Sequence, residues 1–134
     1  AIILFNEAGV PCVFWGDLLG SPESDDLPAV RELPVLMSIR ARAAVGPQHN
    51  AFDDADVVGF AREGKDEIPG SGCAVILSDR MAAEKTLYVG TRHAGQEWEC
   101  ILGGHPSVRV ADDGTLTGVV SDGGLSVYVP RRNA

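Results

Sequence analysis

Apolar residues repeat with two different periods along the chain, and the change falls near residue 47. Before it, residues 1–8 predict the last turns of a helix, which Gly9 ends. The following run, residues 10–15, is continuously apolar, as in a parallel strand that is buried on both faces. Helical spacing of apolar residues predicts a second helix over residues 34–45. The first part is therefore an α/β fragment, and a single strand and helix cannot bury both of their faces alone.

From residue 48 onward the apolar positions alternate, and Gly, Pro, Asn and Asp turn signals separate them. Trp98 lies in phase with Cys100 and Leu102 in this pattern, so its side chain is expected to point into a core. Short strands with regular turns and no helical pattern between them indicate an antiparallel sandwich or barrel. The predicted strands are residues 57–62, 73–77, 85–89, 97–102, 108–110, 117–120 and 125–129.

Composition and charge narrow the classes of partner. The 134 residues carry 11 Lys and Arg against 19 Asp and Glu, a net charge of −8, and such a surface repels nucleic acid and anionic membranes. No apolar run approaches the ~20 residues of a membrane-spanning helix. The three cysteines, Cys12, Cys73 and Cys100, are odd in number and far apart. They are expected to be small buried hydrophobes, with a disulfide or a reactive thiol as the alternative, and they favour an intracellular location.

Candidate chemistry in the first part rests on two residues. Asp17 comes just after the predicted strand, where barrel enzymes place functional groups, although an exposed Asp that caps a turn is the alternative. Trp15 beside it offers a face that stacks on a sugar ring or packs in a core. Both are weak candidates for substrate binding.

In the second part, residues 52–56 concentrate carboxylates of the kind that calcium prefers, but without the spacing of an EF-hand loop, so a solvated turn is the alternative. His49, His93 and His105 each stand alone and are expected to be exposed loop residues. The sequence contains no recognisable pair of nucleophile and base, no phosphate-binding loop and no metal-ligand cluster. From the residues alone it predicts a βα fragment that leads into an acidic all-β domain.

Several segments resemble one enzyme family. Residues 9–17, GVPCVFWGD, resemble the strand-eight signature of the α-amylases in glycoside hydrolase family 13. Residues 46–64, GPQHNAFDDADVVGFAREG, resemble the start of the C-terminal sheet domain in the liquefying bacterial and fungal intracellular types. Residues 69–79, 88–90 and 123–130 are similar to later parts of that domain, in the same order. The chain is thus identified as similar to the C-terminal part of such an enzyme.

This resemblance implies that residues 1–46 form the end of a catalytic (β/α)8 barrel and residues 47–134 a C-terminal Greek-key β-sandwich. It also implies a hydrolase that cleaves α-1,4-glucosidic bonds in starch or glycogen with retention, using paired carboxylates. The family's catalytic carboxylates follow barrel strands four, five and seven, and none of them matches a residue of this chain. The isolated chain is therefore expected to be inactive, with the N-terminal barrel as its partner and an α-1,4-glucan as the substrate of the whole enzyme.

The resemblance also implies a calcium ion between the barrel and the sheet domain. Its ligands here would be the main-chain carbonyl of His49, the side chain of Asn50 and Asp79. Asn50 stands where the family has an acid, which keeps an oxygen ligand but removes a charge. Two other functions stay open: a non-catalytic carbohydrate-binding or structural β-sandwich that uses Tyr88 and Tyr128, and another family 13 activity such as transglycosylation.

Overall fold

The fold is built from short helices followed by antiparallel strands. The computed structural model describes residues 2–13, 15–20 and 29–131. Within them the helices are α1 (Ile2–Phe5), α2 (Trp15–Leu19) and α3 (Leu33–Arg42), with a 3-10 helix at Thr91–His93. The strands are β1 (Gln48–Ala51), β2 (Val57–Arg62), β3 (Cys73–Ser78), β4 (Ala83–Tyr88), β5 (Glu97–Leu102), β6 (Val108–Arg109), β7 (Thr115–Val120) and β8 (Leu125–Pro130).

The strands form two sheets that pack face to face. One sheet has the order β1-β2-β3-β8-β5-β6, and the other is the pair β4-β7. Residues from both sheets share one core, in which Ile76, Trp98 and Tyr128 of the larger sheet pack with Leu87 and Leu116 of the smaller one. The antiparallel sandwich that the period-two pattern predicts is confirmed.

The helices cover the opposite face of the larger sheet. Phe5 of α1 and Ile39 of α3 are fully buried in a second core with Phe60, Val75 and Val127. Because successive side chains of a strand point to opposite faces, the inner strands β2, β3 and β8 are apolar on both faces. The larger sheet is therefore the middle layer of three.

The strand predictions differ in accuracy. The bounds predicted for β2 and β5 are confirmed, and Trp98 is fully buried as its phase predicts. The four residues of β1 were not predicted, because their mixed polarity shows no alternation and the strand exists through its pairing with β2. Helix α3 ends at Arg42 rather than at residue 45.

The strand predicted over residues 10–15 is wrong within the described part of the chain. Residues 10–13 form no regular element, Trp15 begins α2, and residue 14 lies outside the description. Val10 is 91% exposed. A strand buried on both faces needs a neighbour on each edge and a layer on each face, and the described residues supply neither there.

Several side-chain expectations also need correction. His93 is buried rather than exposed, because the 3-10 helix turns it inward. Tyr128 is fully buried in the sandwich core, so it is not available to a sugar, whereas Tyr88 is 39% exposed. Of the cysteines, Cys73 is buried as expected, whereas Cys100 is half-buried and Cys12 exposed. None of the described helices is long and apolar enough to cross a membrane.

Candidate functional site

Arg62 joins the N-terminal helices to the sheet. It is the last residue of β2 and only 7% exposed. Its Nε donates to the carbonyl oxygen of Gly46 and its Nη1 to that of Phe5, both at 2.8 Å. A strand end in the middle layer thus holds both the end of α1 and the turn before β1. We call this contact region, formed by Phe5, Glu7, Gly46, Gln48 and Arg62, the joint.

Arginines supply the donors that the end of α1 lacks. The last carbonyls of any helix have no partner within the helix, and arginine side chains can bind them. Here Arg40 of α3 donates to the Leu4 carbonyl, next to the Phe5 carbonyl that Arg62 binds. Two positive side chains from different elements therefore fix one short helix.

Hydrogen bonds from main-chain amides hold the rest of the joint together. The Glu7 amide donates to Gln48 Oε1 at 2.7 Å, and the Gln48 amide donates to Glu7 Oε2 at 3.2 Å. Gly64 donates from its amide to the Val45 carbonyl at 2.9 Å. At Gly46, where φ is +83°, an added Cβ would lie 2.2 Å from the Gly64 carbonyl oxygen. Residues 45–46 therefore touch residue 64 backbone to backbone, and only glycine fits at position 46.

The predicted substrate-binding pair lies on one short element. Trp15 and Asp17 both fall in α2, and the Asp17 side chain is exposed. The Asp17 carbonyl accepts a hydrogen bond from the Val30 amide at 2.7 Å. A role for either residue in substrate binding stays a prediction.

The three predicted calcium ligands lie on two separate segments. His49 and Asn50 lie on β1 and pair with the second half of β2, whereas Asp79 follows β3 and donates from its amide to the Asp56 carbonyl, just before β2 begins, at 3.1 Å. The Asn50 Oδ1 accepts a hydrogen bond from the Gln48 side chain at 2.7 Å. In the described ranges, His, Cys, Asp and Glu side chains form no group of three or more that could hold a metal ion. A calcium ion held by the His49 carbonyl, the Asn50 side chain and Asp79 stays a prediction.

The His49 side chain has other neighbours. Its Nε2 lies 3.3 Å from Glu63 Oε2, and its ring meets Tyr88 edge-on at 4.8 Å. The His49 and Glu63 side chains are 34% and 18% exposed, and the contact joins β1 to the residue after β2 and to β4. The His49 side chain therefore serves the packing of the sheets.

The acidic stretch at residues 52–56 serves the turn that precedes β2. Asp54 Oδ1 accepts hydrogen bonds from the amides of Asp56 and Val57 at 2.8 and 3.3 Å. Asp53 pairs with Lys85 of β4 at 2.6 Å, and this contact holds the pKa of the Asp53 carboxyl below its usual range. These contacts agree with the solvated turn.

The joint was missed by sequence reasoning. Arg62 contacts Phe5 from 57 positions away, and the neighbouring contact of Arg40 with Leu4 spans 36 positions. No local sequence pattern encodes contacts over such separations. One signal could have pointed to Arg62: a charged residue closes a strand whose other positions are apolar or small. A charged side chain in that position must find hydrogen-bond partners if it is buried.

The chain is similar in sequence to known α-amylases, although no family model matches it. It is 37% identical over 134 residues to the α-amylase of Geobacillus stearothermophilus and 35% identical over 135 residues to that of Bacillus licheniformis, in each case with 98% of this chain aligned. The chain spans only 24% and 26% of the length of these two relatives.

A solved structure supports the fold. The crystal structure of an Anoxybacillus α-amylase matches 98% of this chain and 31% of its own with a TM-score of 0.64, at 18% sequence identity. The match shows that the two proteins share the fold of this region. The sequence identity to these relatives shows that the chain is a homologue of the C-terminal region of the α-amylases of glycoside hydrolase family 13.

Proposed function

We propose that this chain serves as the C-terminal region of an α-amylase that cleaves α-1,4-glucosidic bonds in starch or glycogen with retention. The observation that carries the proposal is the 37% identity to an α-amylase over 98% of the chain. Retaining cleavage needs two carboxyl groups about 5–5.5 Å apart. The family resemblance places these carboxylates before the region that this chain matches, so the proposal assigns no catalytic residue to it.

The role of this region is then mechanical. Residues 1–46 complete the catalytic barrel, and residues 47–134 brace it through the joint. The burial of Arg62 and the reciprocal Glu7 and Gln48 hydrogen bonds support this role, because they fix the N-terminal helices on the sandwich. No part of this mechanical role depends on a calcium ion.

A chimera tests the proposal. The region of the Geobacillus stearothermophilus α-amylase that aligns with this chain is replaced by this chain, and the release of reducing ends from soluble starch is measured. We expect the chimera to cleave starch and the chain alone to release nothing above a buffer blank. A chimera that elutes as a folded monomer but leaves starch intact would overturn the proposal, as would cleavage by the isolated chain.

Product analysis separates hydrolysis from transfer. Hydrolysis yields one new reducing end for each bond broken, whereas transglycosylation rearranges chain lengths without that gain. We expect the count of reducing ends to rise in step with the loss of iodine-staining chains. A fall in staining without new reducing ends, measured on the whole enzyme that carries this region, would make that enzyme a transferase instead.

A further inference from the structure

A polar cleft lies on the sandwich, beside the 3-10 helix. Gly70, His93, Gln96, Glu97, Pro130 and Arg131 line a cavity of about 430 Å³. A smaller cavity of about 190 Å³ continues it past Gly70, His93 and Gln96, toward Asp66 and Arg92. We call the two together the His93 cleft. Its main cavity has the size of ordinary small-molecule sites, which span roughly 300–1,000 Å³.

The floor of the His93 cleft is fixed before any ligand arrives. His93 Nε2 lies 2.6 Å from the Glu63 carbonyl oxygen, which can only accept, so Nε2 carries a proton and donates. The other ring nitrogen, Nδ1, lies 2.8 Å from the end of the Gln96 side chain, whose amide nitrogen donates to it when the imidazole is neutral. The ring also packs edge-on against the buried Trp98 at 5.0 Å. The imidazole therefore holds the Gln96 side-chain amide in one place.

Two ion pairs form the walls. Glu97 Oε2 lies 3.1 Å from Arg131 Nη1, with the two side chains 45% and 55% exposed. In the smaller cavity, Asp66 Oδ1 lies 3.2 Å from Arg92 Nη1, with the two side chains 88% and 38% exposed. Each pair sets a carboxylate, which only accepts hydrogen bonds, beside a guanidinium, which only donates them. An anion in the cleft would meet both carboxylates, and a cation would meet both guanidinium groups.

A neutral ligand with neighbouring hydroxyl groups suits this alternation, because each hydroxyl can donate to a carboxylate and accept from a guanidinium. We propose that the His93 cleft is a second, non-catalytic site that binds a short oligosaccharide of linked glucose units. The identity of the sugar rests on the proposed function, whereas the preference for a neutral hydroxylated ligand rests on the cleft alone.

Titration of the ¹⁵N-labelled chain with maltotriose tests this site. We expect amide shifts at residues 93–97 and 131, and a Kd that rises about fivefold in Glu97→Gln and in Gln96→Ala, as the loss of one hydrogen bond predicts. Glu84→Gln on the exposed face of β4 is the matched control and should leave the Kd unchanged. Inorganic phosphate is the anionic probe and should cause no shifts there.

Four results would overturn the site: no shifts with maltotriose, shifts elsewhere, a Kd unaffected by Glu97→Gln in a variant with an otherwise native spectrum, or tighter binding of phosphate. The site and the proposed function fail separately. If only the site is wrong, the chimera still cleaves starch, but the chain does not bind maltotriose. If only the enzyme assignment is wrong, the chain binds maltotriose and the folded chimera is inactive.

Discussion

Replacement of Arg62 by methionine tests the joint most sharply in the chain itself. Methionine keeps the buried aliphatic stem but removes both hydrogen bonds, so the carbonyls of Phe5 and Gly46 lose a donor in a buried setting. A buried acceptor left without a partner costs about 1–3 kcal/mol. Removal of the buried guanidinium charge offsets part of this loss. We expect the free energy of unfolding to fall by roughly 2–4 kcal/mol.

Urea unfolding followed by far-UV circular dichroism measures this change. With a slope of about 2 kcal/mol per molar urea, the unfolding midpoint should fall by about 1–2 M. The unfolding midpoint of Arg62→Lys, which can keep a single hydrogen bond, should lie between those of the unchanged chain and Arg62→Met. Arg80→Met removes the same charge at an exposed position and is the control, with a change within about 0.5 kcal/mol. Equal midpoints for Arg62→Met and Arg80→Met would refute the reasoning.

Three further predictions concern the sandwich. Gly64→Ala should lower the free energy of unfolding by about 2–5 kcal/mol, because φ there is +82° and the new Cβ would lie 2.5 Å from the Ser71 carbonyl oxygen. Gly70→Ala, with φ of +78° but open space, should cost about 1–2 kcal/mol, and equal urea midpoints for the two would contradict the steric argument. Tyr128→Phe should cost about 1–2 kcal/mol, because the Val119 amide donates to Tyr128 Oη at 2.9 Å. Tyr88→Phe at an exposed position should be neutral, and a neutral Tyr128→Phe in calorimetry would disprove the role of the Val119 hydrogen bond. Burial raises the pKa of the Cys73 thiol to about 12, whereas an unfolded thiol titrates near ~8.5. Above pH ~8.5 the unfolded state binds fewer protons than the folded state, so the free energy of unfolding should fall by roughly 1 kcal/mol per pH unit up to the folded pKa. Cys73→Ala should remove this slope, and identical slopes in the two proteins would refute the prediction.

The sandwich could be predicted from the sequence because its strands carry their own signal. Residues 97–102 alternate, and that alternation gives both the bounds of β5 and the inward side chain of Trp98. Residues 10–15 show the limit of this approach. A continuous apolar run predicts that a segment is buried. Its conformation depends on neighbouring strands, and the described residues supply none beside this run.

The joint and the His93 cleft could not be predicted in this way. His93 looks like a loop residue in the sequence, and it is buried because Glu63, 30 positions away, offers it a carbonyl. Arg62 is fixed by Phe5, 57 positions away. Contacts of this kind follow from the packing of distant segments, so they appear only once the chain is folded. The family resemblance came from short motifs, and these motifs carry no side-chain geometry.

The half-life of starch-cleaving activity at elevated temperature, measured on the chimera and on its Arg62→Met variant, tests the central claim most directly. If this region braces the catalytic barrel through the joint, both proteins cleave starch at the same rate at low temperature, and the variant loses activity several times faster when heated. Arg80→Met in the chimera should keep the original half-life. Equal half-lives for the chimera and its Arg62→Met variant would contradict the claim that the joint braces the enzyme.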